Sequence, residues 1–294
     1  MKSGFVSLIG RPNAGKSTLI NSIVGSKIAI VSSKPQTTRN IIQGIYNDSE
    51  AQIVFVDTPG IHKPINKLGK ILNKESLSLI KDVDVILLLV DGSEFFGNQE
   101  KYILEVLKNT EIPVVLVINK VDLLSKEELI KKIEEYKDLF PFANIVPISA
   151  LQNNNIRTLL NVIKSYLTDE VKYFDYNVKT TNSKKFMISE LVREKVLDMT
   201  EKEVPHSVTC VTTNIEDKKN IANIAVDIIV ERDSLKKIII GKKGNMLKAI
   251  GTEARKDMEE YLGKQVYLEL YVKTIRNWRD KDKRLQEFGF NDFE

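Results

Sequence analysis

The sequence predicts an α/β protein with a mostly parallel sheet, followed by a smaller α+β domain. Three observations lead to this prediction. As far as Leu167, short apolar runs alternate with segments of helical periodicity, which is typical of a parallel sheet covered by helices on both faces. A glycine-containing loop joins the first apolar run to the first helix. After a polar stretch, the order changes to helix, two strands, two helices and strand. With 294 residues, the chain is long enough for two cores.

The elements of the first domain follow from their local patterns. Short runs of four or more apolar residues indicate buried strands, and apolar residues at a spacing of three to four indicate helices. The predicted strands lie near 5–9, 41–47, 51–56, 83–90, 113–118 and 144–148. The predicted helices lie near 16–24, 67–80, 98–109, 126–139 and 155–167.

Residues 1–168 are therefore assigned to the first domain, 169–185 to a polar linker and 186–294 to the second domain. In the second domain, a helix is predicted from 186 to 202, and Pro205 is expected to end it. The elements predicted after it are antiparallel strands at 206–214 and 221–231, helices at 234–240 and 245–262, and a strand at 265–273.

The loop after the first strand has the pattern G-x-x-x-x-G-K-[ST], from Gly10 to Ser17. Between a strand and a helix, this pattern binds phosphates, because its backbone N–H groups and the helix N-terminus point at phosphate oxygens. Lys16 is expected to reach the β- and γ-phosphates, and the Ser17 hydroxyl to hold Mg²⁺. The residues predicted to contact the nucleotide here are Gly10, Asn13, Ala14, Gly15, Lys16, Ser17 and Thr18.

A second pattern, Asn119-Lys120-Val121-Asp122, predicts which base is bound. It follows an apolar strand, and ligands bind at the carboxyl ends of strands in open α/β sheets. The Asp122 carboxylate can accept hydrogen bonds from N1–H and the exocyclic amine of guanine, whereas adenine offers neither donor in that geometry. Ser149-Ala150, after another strand, is expected to complete the base pocket. The ligand predicted is GTP or GDP.

A third pattern, Asp57-Thr58-Pro59-Gly60, also follows a strand. Asp57 fits a carboxylate that holds Mg²⁺ through water, and Gly60 fits a backbone N–H that senses the γ-phosphate. A threonine of the polar segment between the two motifs is expected to close on Mg²⁺. Thr38 is favoured, and Thr37 is the alternative. The predicted metal ligands are thus Ser17, Thr38 and Asp57.

In the second domain, Gly241-Lys242-Lys243-Gly244 lies between two predicted helices. A GxxG sequence occurs readily by chance and can be a helix C-cap followed by a basic turn. Between two helices, however, it lets backbone N–H groups approach a nucleic-acid backbone, and the lysines add positive charge. Lys248 lies nearby, and Ile238, Ile239 and Ile240 are expected to offer apolar surface for bases. The predicted RNA-binding residues are Gly241, Lys242, Lys243, Gly244, Ile240 and Lys248.

Composition excludes several other classes of function. The longest apolar run is far shorter than a membrane span, and no signal peptide is expected. A single cysteine, Cys210, rules out an intramolecular disulfide and favours a reducing compartment. The two histidines, His62 and His206, do not form a metal-binding or catalytic spacing. The net charge of +4 is too small to indicate a nucleic-acid partner by itself.

Together, the three nucleotide motifs and the C-terminal Glu231-Arg232-Asp233-Ser234, Gly241–Gly244 and Trp278-Arg279 resemble the Era family of GTPases over essentially the whole chain. The first part is similar to the GTPase subgroup that contains Era, the tRNA-modification GTPase and the double-domain ribosome-assembly GTPase. The second part resembles a prokaryotic-type KH domain. The resemblance implies a GTP-hydrolysing switch that binds the 3′ end of 16S ribosomal RNA and assists 30S assembly, in the cytoplasm and with some peripheral membrane association. A monomer is expected.

One departure from Ras-like GTPases concerns hydrolysis. Ile61 stands where those proteins place a glutamine that orients water, and an apolar side chain cannot do this. In the resembling subgroup, an asparagine at the position of Asn13 can coordinate a monovalent cation, so K⁺ is a possible cofactor; a turn residue tolerant of unusual backbone angles is the alternative. The residues expected to act during hydrolysis are Lys16, Thr38, Gly60 and Asn13.

Two further alternatives remain open. The basic segment from Thr274 to Arg284, with Trp278, is expected either to contact RNA or membrane or to form a solvated helix. The C-terminal domain could instead only pack or dimerise, which would make the chain a GTPase of a tRNA-modification or protein-interaction pathway. The basic GxxG and the lack of a catalytic constellation in this domain favour RNA binding.

Overall fold

The computed structural model describes residues 1–34, 37–59, 66–79 and 81–290. Its contacts divide the chain into two compact units. As far as these ranges are described, the first unit comprises Met1–Ala29, Thr38–Pro64 and Leu72–Thr181, and the second comprises Ile30–Thr37, Ile65–Ile71 and Asn182–Glu294. The second unit therefore contains two short segments from the N-terminal half in addition to the predicted C-terminal domain.

The first half of the chain contains the alternating strands and helices that the sequence predicts. The strands are β1 (Lys2–Gly10), β2 (Ile42–Asn47), β3 (Ala51–Asp57), β4 (Val85–Asp91), β5 (Val114–Asn119) and β6 (Asn144–Pro147). The helices are α1 (Lys16–Val24), α2 (Lys67–Ser78), α3 (Asn98–Leu107), α4 (Lys126–Lys137) and α5 (Ile156–Tyr166). Among the described residues, the strands form one sheet of order β2-β3-β1-β4-β5-β6, which is parallel except for the β2–β3 pair. The predicted fold class is confirmed.

The central strands of the sheet are apolar on both faces, as their burial between layers of helices requires. Every residue of β3, β4 and β5 is buried, as strands covered by helices on both sides require. Asp57 and Asn119 are the last residues of β3 and β5, and Ser149 comes just after β6, so all three lie at the carboxyl edge of the sheet. The nucleotide motifs were predicted to lie at this edge.

The stretch predicted as a linker is largely ordered against the first unit. Ser3 donates its backbone N–H to the Asp169 carbonyl at 2.7 Å, and Ile45 donates to the Lys179 carbonyl at 2.9 Å. Between these points, the Gln52 side chain accepts from the backbone N–H of Tyr173 and Phe174 and donates to the Phe174 carbonyl. Hydrogen bonds to their backbone therefore hold residues 169–181 on the first unit, and we call this segment the strap. The polar composition of the segment gave no sign of these bonds.

The second unit has the predicted order of helix, two strands, two helices and strand. Its elements are α6 (Lys184–Met199), α7 (Val204–Ser207), β7 (Thr209–Asp217), β8 (Ile221–Val230), α8 (Asp233–Ile240), α9 (Asn245–Leu262), β9 (Gln265–Thr274) and α10 (Asp282–Glu287). In its sheet, β8 lies between β7, which is antiparallel to it, and β9, which is parallel. Helix α6 ends at Met199 rather than near 202. Pro205 lies in the first turn of α7, where a missing N–H costs nothing.

In the C-terminal segment, the structure corrects the expectation that Trp278 is available for contact with RNA or membrane. Trp278 is fully buried, and its indole N–H donates to the Ser207 carbonyl at 3.0 Å. Its ring stacks on Phe290 at a centroid distance of 6.1 Å, and Arg279 pairs with Glu231 at 2.5 Å. Trp278 is thus a core residue of the second unit and is not available to RNA or membrane. Among the described residues, no helix combines the length and apolar character needed to cross a bilayer.

Candidate functional site

The loop between β1 and α1 is a tight backbone cradle. Gly15 has φ of +95°, and a Cβ atom added there would lie 2.1 Å from the side-chain nitrogen of Asn119, so only glycine fits. Lys16 is buried and donates to the carbonyls of Gly10 and Arg11 at 3.2 and 3.0 Å. Burial lowers the pKa of Lys16, while Asp57 acts in the opposite direction. Lys16 therefore lies across the loop in which the phosphates are expected to bind.

Three oxygen-bearing side chains meet beside this cradle. The Ser17 hydroxyl donates to Asp57 Oδ2 at 2.7 Å and lies 2.9 Å from the Thr38 hydroxyl. Burial raises the pKa of Asp57 to about 6, although Lys16, Ser17 and Thr38 oppose the shift. Its Oδ1 is buried without a partner among the described residues. Hard oxygen ligands and an unsatisfied carboxylate oxygen fit Mg²⁺. The three predicted metal ligands thus come together.

The two candidate threonines have different surroundings. The Thr37 hydroxyl donates to the Lys34 carbonyl at 2.6 Å, three positions earlier in the chain. The Thr38 hydroxyl faces Ser17, and this placement agrees with the choice of Thr38 over Thr37. Gly60, Ile61 and His62 lie outside the described residues, so the roles predicted for Gly60 and Ile61 remain predictions.

The base pocket is built around Asn119. Its side-chain amide donates to the Ala14 carbonyl at 2.9 Å, and its oxygen accepts the Ala150 N–H at 3.0 Å. Asn119 therefore braces the cradle against the Ser149-Ala150 turn. The Asp122 Oδ1 atom is buried and has no partner among the described residues, as expected of an acceptor meant for a base. Lys120 has φ of +63° and pairs with Asp91 at 2.6 Å, a partner that the motif did not reveal.

Of the other predicted loop residues, Ala14 is buried, Thr18 is partly buried in the first turn of α1, and Asn13 is exposed. Asn13 has φ of +66°, a left-handed conformation that asparagine tolerates better than most residues. This geometry accounts for the asparagine as a turn residue and does not by itself indicate a cation ligand.

The predicted GxxG loop is an exposed turn between α8 and α9. Gly241 has φ of +71°, and a Cβ atom there would lie 2.7 Å from Met246 Cβ, so the loop requires glycine at this point. Lys242, Lys243 and Lys248 are exposed. Of the three isoleucines, Ile239 is fully buried in the core, Ile240 packs partly against it, and Ile238 is 48% exposed. The apolar surface expected from these three residues is thus reduced to Ile238 and part of Ile240.

A groove that the sequence did not reveal begins at Gly244 and runs between α9 and β9. It encloses about 630 Å³. Its floor is apolar, its rim carries Lys248 and Arg255, and no carboxylate lines it among the described residues. Gly251 lines the groove, and a Cβ atom there would lie 3.3 Å from Leu270, so a larger side chain would narrow the groove at this point. The lining residues are Gly244, Leu247, Lys248, Gly251, Thr252, Arg255, Val266, Tyr267, Leu268 and Leu270.

The fold of the first unit, its phosphate cradle, its metal-ligand set and its guanine-type acceptor define a P-loop GTPase, joined here to an α+β module with a GxxG loop. Comparisons with known families agree. Residues 5–120 match the profile of a family described as a 50S ribosome-binding GTPase, and residues 203–279 match the KH domain. The chain is 47% identical to GTPase Era of Clostridium kluyveri over 291 residues, which is 99% of either chain. This chain belongs to the Era family of GTPases.

Solved structures of Era have the same fold. An Era variant from Aquifex aeolicus bound to GDP·AlF4⁻ is 38% identical and superposes with a TM-score of 0.95 over 99% of both chains. An Era in complex with MgGDPNP and nucleotides 1506–1542 of 16S ribosomal RNA matches with the same identity, coverage and TM-score. The predicted family, fold and GTPase activity are confirmed.

Proposed function

We propose that this GTPase binds a single-stranded segment at the 3′ end of 16S ribosomal RNA through its GxxG loop and the adjacent groove, and thereby assists 30S subunit assembly. The groove is the observation that carries the proposal. An apolar floor suits unstacked bases, and the lysine and arginine at the rim suit phosphates, although Arg255 also lies 3.9 Å from Glu259 outside the lining. The Era solved with nucleotides 1506–1542 of 16S ribosomal RNA supports this choice of RNA.

The first unit would regulate RNA binding through the nucleotide that it holds. Lys16 neutralises charge on the terminal phosphates, and Ser17, Thr38 and Asp57 would hold Mg²⁺, which supplies further charge stabilisation when bound. Asp122 selects guanine. Because Thr38 is expected to bind Mg²⁺ only when the γ-phosphate is present, we propose that RNA binds more tightly to the GTP form, by about 1–3 kcal/mol. RNA affinities measured with GDP and with a non-hydrolysable GTP analogue test this coupling, and equal affinities would remove it.

The RNA site is tested by reversing charge at the loop in the full chain. Lys242→Asp/Lys243→Asp should abolish binding of a 16S 3′-end oligonucleotide while GDP affinity is retained, because carboxylates would face phosphates at their closest approach. Replacing the pair by alanines should instead lower the slope of log affinity against log salt by about 1.4, or roughly 0.7 for each lost phosphate contact.

The matched control is Lys218→Asp/Lys219→Asp, which makes the same charge change in the exposed turn between β7 and β8 of the same unit. It should lower RNA affinity far less. If both pairs weaken binding equally, the effect is one of net charge and the loop is not the site. If neither does, the GxxG is an ordinary basic turn, and the alternative of a protein-binding or tRNA-modification GTPase gains support.

A monovalent cation is proposed as a further cofactor, because Ile61 cannot orient water. Hydrolysis should then be faster in K⁺ than in Na⁺, and Asn13→Ala should lose this difference while still binding GDP. Equal rates of the unaltered protein in the two salts would refute the cation role. A cytoplasmic monomer with peripheral membrane contact also remains a proposal, which cell fractionation and sedimentation can test.

A further inference from the structure

Helix α6 carries three charged side chains that are buried. Glu190, Arg193 and Glu194 are each less than a tenth exposed, and Arg193 is only 1% exposed. Buried charges require partners, because desolvation costs several kcal/mol for each ion. Some of these partners are backbone groups of residues 30–37, which belong to the same compact unit as α6.

Three polar contacts attach this segment to α6. Glu194 Oε1 accepts the Val31 N–H at 3.0 Å, and Asp198 Oδ1 accepts from the Ser32 hydroxyl at 2.8 Å. At the end of the segment, Arg193 Nη2 donates to the Thr37 carbonyl. Ile30, at the start of the segment, is buried in the core of this unit. The segment is therefore fixed at both ends.

Glu190 orients the arginine for its contact with Thr37. It accepts from Arg193 Nε at 2.7 Å and from Nη2 at 2.5 Å, which is a two-point pairing of guanidinium and carboxylate. Burial is the largest single influence and lowers the pKa of Arg193, but Glu190, Cys210 and Glu194 together raise it further, so the net shift is upward and the guanidinium stays charged. A charged, rigidly held donor thus faces a single backbone carbonyl.

That carbonyl belongs to the peptide bond that leads into Thr38. Because the peptide unit is planar, holding the Thr37 oxygen also fixes the direction of the Thr38 N–H and restricts where the Thr38 side chain can begin. The Thr38 hydroxyl is one of the three groups that meet at the metal site, 2.9 Å from Ser17. The Arg193 contact with the Thr37 carbonyl therefore affects the position of Thr38 through the peptide bond between the two threonines.

We propose that Arg193, oriented by Glu190, is a positioning residue for Thr38, so that binding of Mg²⁺–GTP depends on this helix of the KH-containing unit. GDP binding does not need Thr38 to close on the metal and should be insensitive to the contact. The proposal concerns the nucleotide site and holds whether or not the chain binds RNA.

The test compares nucleotide affinities of the full chain carrying Arg193→Met. Affinity for a non-hydrolysable GTP analogue in Mg²⁺ should fall about tenfold, the effect of losing one hydrogen bond from a charged donor, while GDP affinity stays within about twofold. Hydrogen exchange at the Thr38 amide, measured without nucleotide, should become faster. Arg193→Lys, which keeps one charged donor, should restore part of the discrimination.

The chain offers a control with the same kind of pairing, in an arginine that is 22% exposed where Arg193 is 1% exposed. Arg279 also pairs with a glutamate, Glu231, and donates to a backbone carbonyl, that of His206, but it has no contact with residues 30–37 among the described residues. Arg279→Met should leave the ratio of the two nucleotide affinities unchanged. An equal loss of discrimination in both variants would mean a general effect of destabilising the unit and would overturn the proposal.

Arg193→Met leaves Glu190 buried without its partner and can fail to fold. Arg193→Met/Glu190→Met removes both charges and keeps apolar volume, which is often tolerated in place of a buried ion pair. If this folded variant discriminates GDP from the GTP analogue as the unaltered protein does, Arg193 serves only the fold and the proposal fails. A failure of the unaltered protein to bind RNA would refute the proposed RNA function without affecting this result.

Discussion

Replacing Asp122 by asparagine should change which nucleotide this GTPase binds. Asp122 Oδ1 is buried and has no partner among the described residues, so the free protein keeps an acceptor ready at the base pocket. In the complex, the carboxylate would accept from N1–H and the exocyclic amine of guanine. In Asp122→Asn, one oxygen remains an acceptor, but the other becomes an N–H group that faces a donor of the base.

The expected magnitude follows from the loss of one charge-assisted hydrogen bond. Such a bond contributes about 1.5–3 kcal/mol, so the dissociation constant for GDP should rise by roughly 10- to 150-fold. Xanthine carries an oxygen where guanine carries the amine, and the new amide can donate to it. The affinity for xanthosine diphosphate should therefore increase.

Calorimetric titration of both nucleotides into the full-length protein measures the exchange of specificity. Asp84→Asn is a suitable control, because Asp84 is a carboxylate of the same unit that accepts the Phe5 N–H at 2.7 Å, far along the chain from the base motifs. It should leave both affinities unchanged. An Asp122→Asn protein that is folded and binds GDP as tightly as before would remove Asp122 from the pocket.

Three further predictions concern stability. Gly15→Ala should abolish GDP binding and lower the free energy of unfolding by about 1–3 kcal/mol, because φ is +95° and the new methyl would meet Asn119. Thermal unfolding and a GDP titration measure the two effects, and normal GDP binding would contradict the prediction. Trp278→Ala should cost about 3–5 kcal/mol in denaturant unfolding, as expected for a fully buried tryptophan, whereas a tryptophan on a solvated helix would lose almost nothing. Burial tends to raise the pKa of Asp48, but Lys164 and the backbone N–H groups of Glu50 and Ala51 bring it to about 2. Because this folded-state pKa is depressed, Asp48 stabilises the protein above pH 4 and loses that effect as the pH falls towards 2. Asp48→Asn should therefore cost about 2 kcal/mol in urea unfolding at pH 7 and much less at pH 2.5, and a cost independent of pH would contradict the assignment.

The sequence predicted those parts of the site in which neighbouring residues carry the chemistry. The phosphate loop, Asp57 and Asp122 each lie in a short motif at the end of an apolar run, so their positions follow from strand ends meeting at one edge of a parallel sheet. The choice of Thr38 also agrees with its position beside Ser17.

What the sequence did not predict depends on residues that are far apart in the chain. Asn119 braces a carbonyl 105 positions away, and the Arg193 contact spans 156 positions. The groove draws its residues from α9 and β9, and neither contains a motif of its own. The burial of Trp278 was not predicted, because its basic neighbours suggested a segment that contacts RNA or membrane or forms a solvated helix. Its partners are Ser207, which is 71 positions away, and Phe290, which follows α10.

The strap formed by residues 169–181 has a practical consequence for dissecting this protein. Strand β2 is at the border of its sheet, and the strap pairs with it through Ile45 and through a bridge between Gly44 and Thr180. A fragment that stops at residue 168 would leave the free N–H and C=O groups of β2 open to pairing with another molecule, a common origin of aggregation. A soluble GTPase fragment should therefore extend at least to Thr181, beyond the point at which composition alone would place the cut.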